Sequence, residues 1–191
     1  MKTRREKFDQ VALELIHQKG FKATTMRDIA TSLSCDVANI YNYVSSKQAL
    51  LEKFLFSISS AFHQGVDDIA SSSYSPTEKL KAVIGLNIRL THERPYEIAL
   101  LVNEWRNLKE KELAKFLAER TAYEQKVESI LQEGIELGEF KPMDLEIMKY
   151  AVLSSVRWLY STYTEKGPKM NPVELERQIT GFVLGGITNV E

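Results

Sequence analysis

The stretch TTMRDIATSLSCDVANIYNYVSSK, residues 24–47, contains two short helical patterns separated by a turn. Thr25 and Asp28 stand three residues apart at the start of the first pattern, which is the spacing of a capping box. Asp36 can cap the second pattern, in which Ile40 is expected to point inward. A helix this short is not stable alone and needs support from the rest of the fold. The outward residues of the second helix are therefore candidates for contact with another molecule.

The residues before this stretch predict a third helix. Apolar side chains recur at helical spacing from Phe8 to Ile16, and Gly20 follows where a left-handed cap residue belongs. Three short helices, of which the last two are joined by a tight turn, are typical of a helix-turn-helix motif. In that motif the last helix lies in the major groove of DNA and the other two helices hold it there.

The predicted recognition helix carries groups on its outer face that can contact bases. Asn39 and Asn42 can each pair with adenine through two hydrogen bonds, and Ala38 can contact a thymine methyl group. Hydroxyl groups and cations around the rim are suited to phosphates. These rim residues are Thr25, Arg27, Tyr41, Tyr43 and Lys47. The alternative is a hairpin that packs its two tyrosines into the protein core.

The segment GFKATTMRDIA…VANIYNYVSSKQALL resembles the DNA-binding domain of the tetracycline-repressor (TetR) family of bacterial transcriptional regulators. The resemblance covers about residues 8–55 and includes the Gly-Phe entry, the threonine-rich cap, the Asp-Ile-Ala triplet and a lysine that opens the fourth helix. It implies phosphate contacts by the five rim residues. It also implies base contacts by Val37, Ala38, Asn39 and Asn42.

Two positions in the turn depart from the family pattern. Ser34-Cys35 stands where the family usually has Gly-Val, and a serine in left-handed backbone costs roughly 1 kcal/mol more than a glycine. Asp36 replaces the common capping serine and can still cap the helix. We interpret Cys35 as a small buried hydrophobic residue, with a redox sensor as the less favoured alternative.

The composition indicates a folded protein from a reducing compartment. Of the 191 residues, 27% are charged and 43% are hydrophobic, which is ordinary for a globular chain. No apolar run approaches the roughly 18 residues of a membrane span, and the basic N-terminus lacks the apolar stretch of a secretory signal. The single cysteine cannot form an internal disulfide. We therefore expect a cytoplasmic protein without a membrane partner, and the resemblance implies that it is bacterial.

The charge is divided unevenly along the chain, although the formal net charge is only −1. Residues 1–50 hold eight Lys and Arg against five Asp and Glu, whereas residues 51–191 hold 17 against 21. A basic N-terminal part on an acidic body favours nucleic-acid binding at the N-terminal end.

The pattern is helical nearly throughout and predicts an all-α fold of about nine helices. By the resemblance, residues 1–48 form the helix-turn-helix DNA-binding domain and residues 76–191 form a helical ligand-binding and dimerisation bundle. Residues 49–75 are expected to be a connecting helix and a linker, because a serine-rich segment ends at Pro76. Residues 143–164 predict a helix that is apolar on nearly every side, which must be covered on two faces.

The C-terminal part contains no catalytic or metal-binding motif, so we expect no enzymatic activity and no cofactor. Polar and aromatic residues within its apolar pattern are candidates to bind a small-molecule effector, with a salt bridge or solvent contact as the alternative. These candidates are Arg89, Trp105, Arg106, Tyr123, Arg157 and Trp158. The run VRWLYSTYTEKG…ELERQITGFVLGG is similar to the C-terminal end of family members that respond to acyl-CoA thioesters.

A homodimer is expected because one short recognition helix reads too few base pairs alone. Gly181 and Gly185 lie four residues apart on the last predicted helix, which allows close packing against a partner or within the same subunit. The predicted dimer interface lies on the last two helices and comprises Leu159, Ile179, Phe182, Gly185 and Gly186.

Three functional hypotheses follow from the sequence. The leading one is a homodimeric repressor that binds double-stranded DNA at an inverted repeat and is released by an effector, either an acyl-CoA or another apolar or anionic ligand. The second is an effector-free DNA-binding or architectural protein of the same fold that a protein partner controls. The third is an all-α enzyme whose N-terminal hairpin is incidental, which the lack of any acid/base or metal constellation disfavours.

Overall fold

The computed structural model describes residues 3–165 and 170–189. Within those ranges the chain is helical, and its only extended pairing is one isolated bridge between Phe140 and Thr188. The helices are α1 Arg4–Lys19, α2 Met26–Ser32, α3 Val37–Ile40, α4 Lys47–Ala70, α5 Pro76–Glu93, α6 Pro95–Asn103, α7 Glu110–Glu136, α8 Leu145–Arg157, α9 Leu159–Thr164 and α10 Pro172–Ile187. A short 3-10 helix, Trp105–Asn107, lies between α6 and α7.

The predicted all-α class is confirmed, with one difference in the segment 143–164. That predicted helix is interrupted at Trp158, so it appears as α8 and α9. The Ser161 amide donates to the Trp158 carbonyl at 3.2 Å, which is the three-residue step of a tightened turn. Counting α8 and α9 as one interrupted helix leaves nine α-helices in the described part of the chain, in agreement with the prediction.

The first of two compact units combines Met1–Ile58 with Tyr96–Phe116. Its core contains Phe8, Ile16, Ile29, Ile40 and Leu51, and none of these side chains is more than 1% exposed. Residues of the later segment, including Leu100 and Phe116, are buried in the same cluster. The helix-turn-helix region is therefore packed against a segment that is distant from it in sequence.

Local signals explain the bounds of α1 and the start of α2, but the predicted cap of α3 is wrong, because the Asp36 side chain makes no capping hydrogen bond. Thr3 and Glu6 form a capping box at the start of α1, and Gly20, with φ of 81°, ends that helix. The turn between α2 and α3 contains Ser34 with φ of 51°, which is the left-handed conformation expected there from the usual glycine.

The second unit combines Ser59–Pro95 with Leu117–Glu191. Helix α5 lies at its centre and contacts α8, α9 and α10. The chain turns back sharply after α7, because Phe140 packs on Gly134, where an added Cβ would lie 2.1 Å from a ring carbon. Glycine is thus required at 134 by the close approach of an aromatic ring. The functional boundaries at residues 48 and 75 stay predictions.

In the ranges that the structure describes, no helix combines the length and the apolar character needed to cross a bilayer.

Candidate nucleic-acid interface

The predicted recognition helix is one turn long and continues into a hydrogen-bonded turn. Helix α3 ends at Ile40, whose side chain is completely buried and anchors the helix to the core of the first unit. The Tyr43 amide then donates to the Ile40 carbonyl at 2.9 Å, so the backbone stays tightly wound through residues 41–43. Asn39 and Asn42 are both exposed. The fold therefore presents the two predicted adenine-pairing amides to solvent.

The other predicted contact residues of this segment divide into outward and inward groups. Ala38 is exposed and Tyr41 is 53% exposed. Val37 is half-buried and packs against the core. The ring of Tyr43 stacks on Phe8 with centroids 5.1 Å apart. The core-packing alternative therefore describes the ring of Tyr43 but not that of Tyr41.

The rim of this surface includes the start of α2. Thr25 caps that helix, because its hydroxyl oxygen accepts from the Asp28 amide at 3.1 Å and its own amide donates to the Asp28 carboxylate at 2.7 Å. The Thr25 hydroxyl also donates to the same carboxylate at 2.6 Å. Arg27, on the first turn of α2, is exposed. The guanidinium is the group on this rim best suited to a phosphate.

The same hydrogen bonds alter the acidity of Asp28. The hydrogen bond from the Thr25 hydroxyl, followed by the one from Lys19, holds the pKa of the Asp28 carboxyl far below its usual range. The Lys19 ammonium lies 2.9 Å from the carboxylate. Asp28 is therefore charged at every physiological pH, and its negative charge lies at the N-terminal end of a helix, where the helix dipole favours it.

Lys47 has partners inside the first unit. Its ammonium donates to the carbonyls of Phe21 at 2.8 Å, Lys22 at 3.2 Å and Thr24 at 2.8 Å. An ammonium group has three donors, and this arrangement uses all of them. The predicted phosphate contact by Lys47 stays a prediction, and in this conformation such a contact requires the loss of one of the three bonds.

The contact between this loop and Glu104 was not predicted from the sequence. The Glu104 carboxylate accepts from the Phe21 amide at 3.3 Å and from the Asn107 side-chain amide at 2.7 Å. Glu104 follows Phe21 by 83 positions. No periodicity or motif connects residues so far apart, so only the fold reveals the contact.

The six predicted effector residues do not form one cluster. Trp105 and Arg106 belong to the first unit, where the Arg106 guanidinium lies 4.2 Å from the Trp105 ring centre and that ring stacks on Phe116. The other four belong to the second unit, and three of them are exposed. These three are Arg89, Arg157 and Trp158.

Tyr123 lies in a polar cluster in the interior of the second unit. Its hydroxyl accepts from the Asn87 side-chain amide at 3.0 Å, and burial raises the pKa of Tyr123 to about 12. The ring of His63 approaches the Tyr123 ring edge-on at 6.2 Å, and the His63 Nε2 atom lies 3.0 Å from the Glu119 carbonyl. Tyr123 is thus a neutral phenol whose hydroxyl accepts a hydrogen bond from Asn87 and whose ring contacts the rings of Phe62 and His63.

A second buried tyrosine in this unit was not singled out from the sequence. Tyr163 is 6% exposed, and within the described residues its hydroxyl has no hydrogen-bond partner. Burial raises the pKa of Tyr163, and the His92 ring meets its ring edge-on at 5.3 Å. The apolar pattern of residues 143–164 concealed it, because a tyrosine within such a run is usually a packing residue.

The predicted dimer residues differ in exposure. Phe182 is 82% exposed, and Gly185 and Gly186 are exposed, with no atom of the described chain near an added Cβ. Ile179 is half-buried against the core of the unit. Leu159 does not fit the prediction, since its side chain is completely buried within the subunit and offers no area for a partner to cover.

Two family models match the chain. The model described as "Bacterial regulatory proteins, tetR family" matches residues 10–54, and the model described as "Tetracyclin repressor-like, C-terminal domain" matches residues 73–187. Together they cover the helix-turn-helix region and nearly all of the C-terminal part.

Similar proteins support the same assignment. The HTH-type transcriptional repressor KstR2 of Mycolicibacterium smegmatis is 27% identical over 188 residues, which cover 97% of this chain and 91% of that protein. The structure of the ketosteroid transcriptional regulator KstR2 of Mycobacterium tuberculosis has a TM-score of 0.91 at 21% identity, covering 100% of this chain and 97% of that chain. AibR, in complex with isovaleryl coenzyme A and operator DNA, has a TM-score of 0.79 at 22% identity, covering 94% and 97%. The chain therefore belongs to the TetR family of bacterial regulatory proteins, and it is a DNA-binding transcriptional regulator.

Proposed function

We propose that the protein is a homodimeric, cytoplasmic transcriptional repressor that binds an inverted-repeat operator and is released from it by a small molecule. The observation that carries this proposal is the surface of α3 and the turn after it. There Asn39, Tyr41 and Asn42 are exposed around the fully buried Ile40. Amides on a firmly anchored turn can discriminate between bases, because their geometry is set before the DNA arrives.

Different residues recognise the bases and bind the phosphate backbone. Asn39 and Asn42 read base edges, with Ala38 against a thymine methyl group. Arg27 and Tyr41 contact the phosphate backbone from the rim. The capped start of α2, with the Thr25 hydroxyl already bonded to Asp28, keeps Arg27 in place.

The dimer is proposed to form through α8 and α10. Both helices expose apolar side chains, among them Ile147 and Tyr150 on α8 and Val173 and Phe182 on α10. Gly181 is exposed beside Phe182, so a partner helix can approach α10 closely. Exposed apolar side chains on two helices that contact each other are typical of an interface, and a two-fold partner presents an identical surface to cover them.

The effector is proposed to bind the second unit as a ligand with an apolar body and an anionic or carbonyl-rich end. The half-buried side chains of Tyr123 and Asn87 can contact a carbonyl oxygen or a hydroxyl group. The exposed guanidinium groups of Arg89 and Arg157 can pair with an anionic end. AibR, which shares the fold, was solved with isovaleryl coenzyme A and operator DNA. An acyl-CoA thioester combines these chemical features.

Release requires that the effector bind one conformation better than another. A ligand lowers operator affinity only by as much as it prefers the conformation that does not fit DNA. The effector-free alternative, in which a protein partner controls the regulator, predicts that no small molecule changes operator binding.

The proposal is tested with a labelled duplex that the parent protein selects from a randomised DNA library. Asn39→Ala and Asn42→Ala should each lose roughly 1–3 kcal/mol of discrimination at particular base positions while keeping non-specific affinity. Ser73→Ala, at an exposed serine of the second unit, is the matched control and should read the same bases as the parent. A base-by-base scan in which both asparagine variants match the control would place the recognition surface elsewhere.

Effector release is tested on the same complex with isovaleryl coenzyme A and with free coenzyme A. The thioester should lower operator affinity and the free thiol should not, because the acyl group supplies the apolar body. If neither compound, nor a series of longer acyl-CoA thioesters, changes the affinity, the effector assignment is wrong and the effector-free alternative is favoured.

A further inference from the structure

The peptide group of Phe21 is held from two sides by charged residues of the first unit. Its amide donates to the Glu104 carboxylate at 3.3 Å, and its carbonyl accepts from the Lys47 ammonium at 2.8 Å. The same ammonium lies 4.5 Å from the centre of the buried Phe21 ring. Hydrogen bonds to charged groups are stronger than neutral ones, so this peptide is fixed more firmly than an ordinary loop peptide.

The loop that these two residues hold leads directly into α2. The Lys47 ammonium also donates to the Thr24 carbonyl at 2.8 Å, and Thr24 lies one residue before the cap Thr25. Lys47 therefore restrains the backbone at this position. The Thr24 hydroxyl is bonded in turn to the carbonyls of Leu15 and Gly20 at the end of α1. A displacement of this loop would therefore move the start of α2 and the phosphate-facing side of the helix-turn-helix.

Glu104 connects the loop to the segment between α6 and α7. Its second carboxylate oxygen accepts from the Asn107 side chain at 2.7 Å, and the Asn107 carbonyl accepts from the Gln48 side chain at 3.3 Å. Gln48 follows Lys47 in α4. The chain joins Tyr96–Phe116 to the second unit at both of its ends, at Pro95 and at Leu117. The proposed effector unit is thus covalently continuous with the segment that holds Phe21.

We propose that Glu104 and Lys47 are positioning residues for operator binding, which set the place of the loop before α2 without touching DNA. This inference rests on the proposed DNA-binding function. A different role for either residue predicts a different effect of its mutation on DNA binding. Loss of an acidic side chain that acted only through its charge would raise DNA affinity, and loss of a lysine that bound a phosphate would reduce the salt dependence by about one ion.

The test measures binding of the selected duplex at several salt concentrations to Glu104→Ala, Glu104→Gln and Lys47→Ala. Glu104→Ala should weaken binding about tenfold, in keeping with the loss of a charged hydrogen bond. Glu104→Gln should recover part of this loss, because its amide oxygen can still accept from Phe21. Lys47→Ala should weaken binding with an unchanged slope of affinity against salt. Glu110→Gln, at an exposed acid of the same unit, is the charge-matched control and should bind at least as tightly as the parent.

Amide hydrogen exchange supplies a readout that DNA does not influence. Exchange at Phe21 and the following residues should be faster in Glu104→Ala and Lys47→Ala than in the control. Glu104 variants that bind like Glu110→Gln, or a Lys47→Ala slope lower by about one, would overturn the inference. If Glu104→Ala does not fold, as judged by circular dichroism, Glu104→Gln decides by the same two measurements. A parent protein that selects no DNA sequence overturns both this inference and the proposed function.

Discussion

A single residue in the turn before the predicted recognition helix adopts a backbone conformation that is unfavourable for its type. Ser34 has φ of 51°, a conformation that glycine adopts without cost and other residues adopt rarely. The sequence predicted this cost, because the usual glycine of the family is replaced at that position. The prediction depended on knowing the turn type. Residue propensities alone would not have identified this position, because serine is common in loops.

Ser34→Gly should therefore raise the free energy of unfolding by about 0.5–1 kcal/mol, even though glycine makes the unfolded chain more flexible. Urea unfolding followed by circular dichroism measures the change. Ser45→Gly is the matched control, at an exposed serine without a positive φ, and should lower stability slightly. Equal changes in the two variants would show that the turn stores no strain.

At the scale of one element, local signals predicted the start of α2 and the end of α1, because capping residues and glycine act within a few positions of the chain. The interruption at Trp158 was not predictable in the same way. No glycine or proline marks that position, so the break depends on packing within the second unit. The position of Tyr96–Phe116 was also unpredictable, since its core contacts are distant in sequence.

The cap of α2 should make stability depend on acid pH. Asp28 has an ordinary unfolded pKa of about 3.9 and a folded pKa held lower by Thr25 and then Lys19. A depressed folded pKa contributes stability above the unfolded pKa, and that contribution is lost as pH falls below about 4. Asp28→Asn should thus flatten the fall of the midpoint of thermal unfolding between about pH 5 and pH 3.

Asp68→Asn is the matched control, because it removes one carboxylate at an exposed position near the end of α4. It should leave the pH dependence close to that of the parent. If Asp28→Asn and Asp68→Asn give the same curve, the cap does not govern acid stability.

At the scale of the whole molecule, the exposed face of α10 makes the dimer testable without unfolding the subunit. Phe182 is 82% exposed, so an arginine there is solvated in the monomer and buried only when a partner covers it. Phe182→Arg should therefore give a folded monomer that no longer binds the inverted repeat. Analytical ultracentrifugation and circular dichroism on the same samples measure the two properties.

Leu137→Arg is the matched control, because Leu137 is 65% exposed at the end of α7 and lies outside the proposed interface. It should remain dimeric and bind DNA like the parent. A Phe182→Arg protein that stays dimeric would move the interface away from α10, and a parent that is monomeric at micromolar concentration would exclude the dimer.

The candidate sites were predictable to different degrees for a physical reason. The predicted DNA-contacting residues lie within one short stretch of chain, so their spacing predicted the exposure of Asn39 and Asn42 together, although not the inward packing of Tyr43. The predicted effector residues come from segments far apart in sequence, and the structure places Trp105 in one unit and Tyr123 in the other. Charge and aromaticity marked those residues as unusual but carried no information about which of them are neighbours.

The exposed apolar face of α10 also has a consequence for gene dosage. If two subunits must meet to cover Phe182 and its neighbours, the amount of repressor able to occupy an operator rises with the square of subunit concentration while dimers are scarce. Halving the number of subunits in a cell would then remove about three-quarters of the dimers. Transcription of the regulated genes would then respond steeply to the rates at which this protein is produced and diluted by cell growth, before any effector is present.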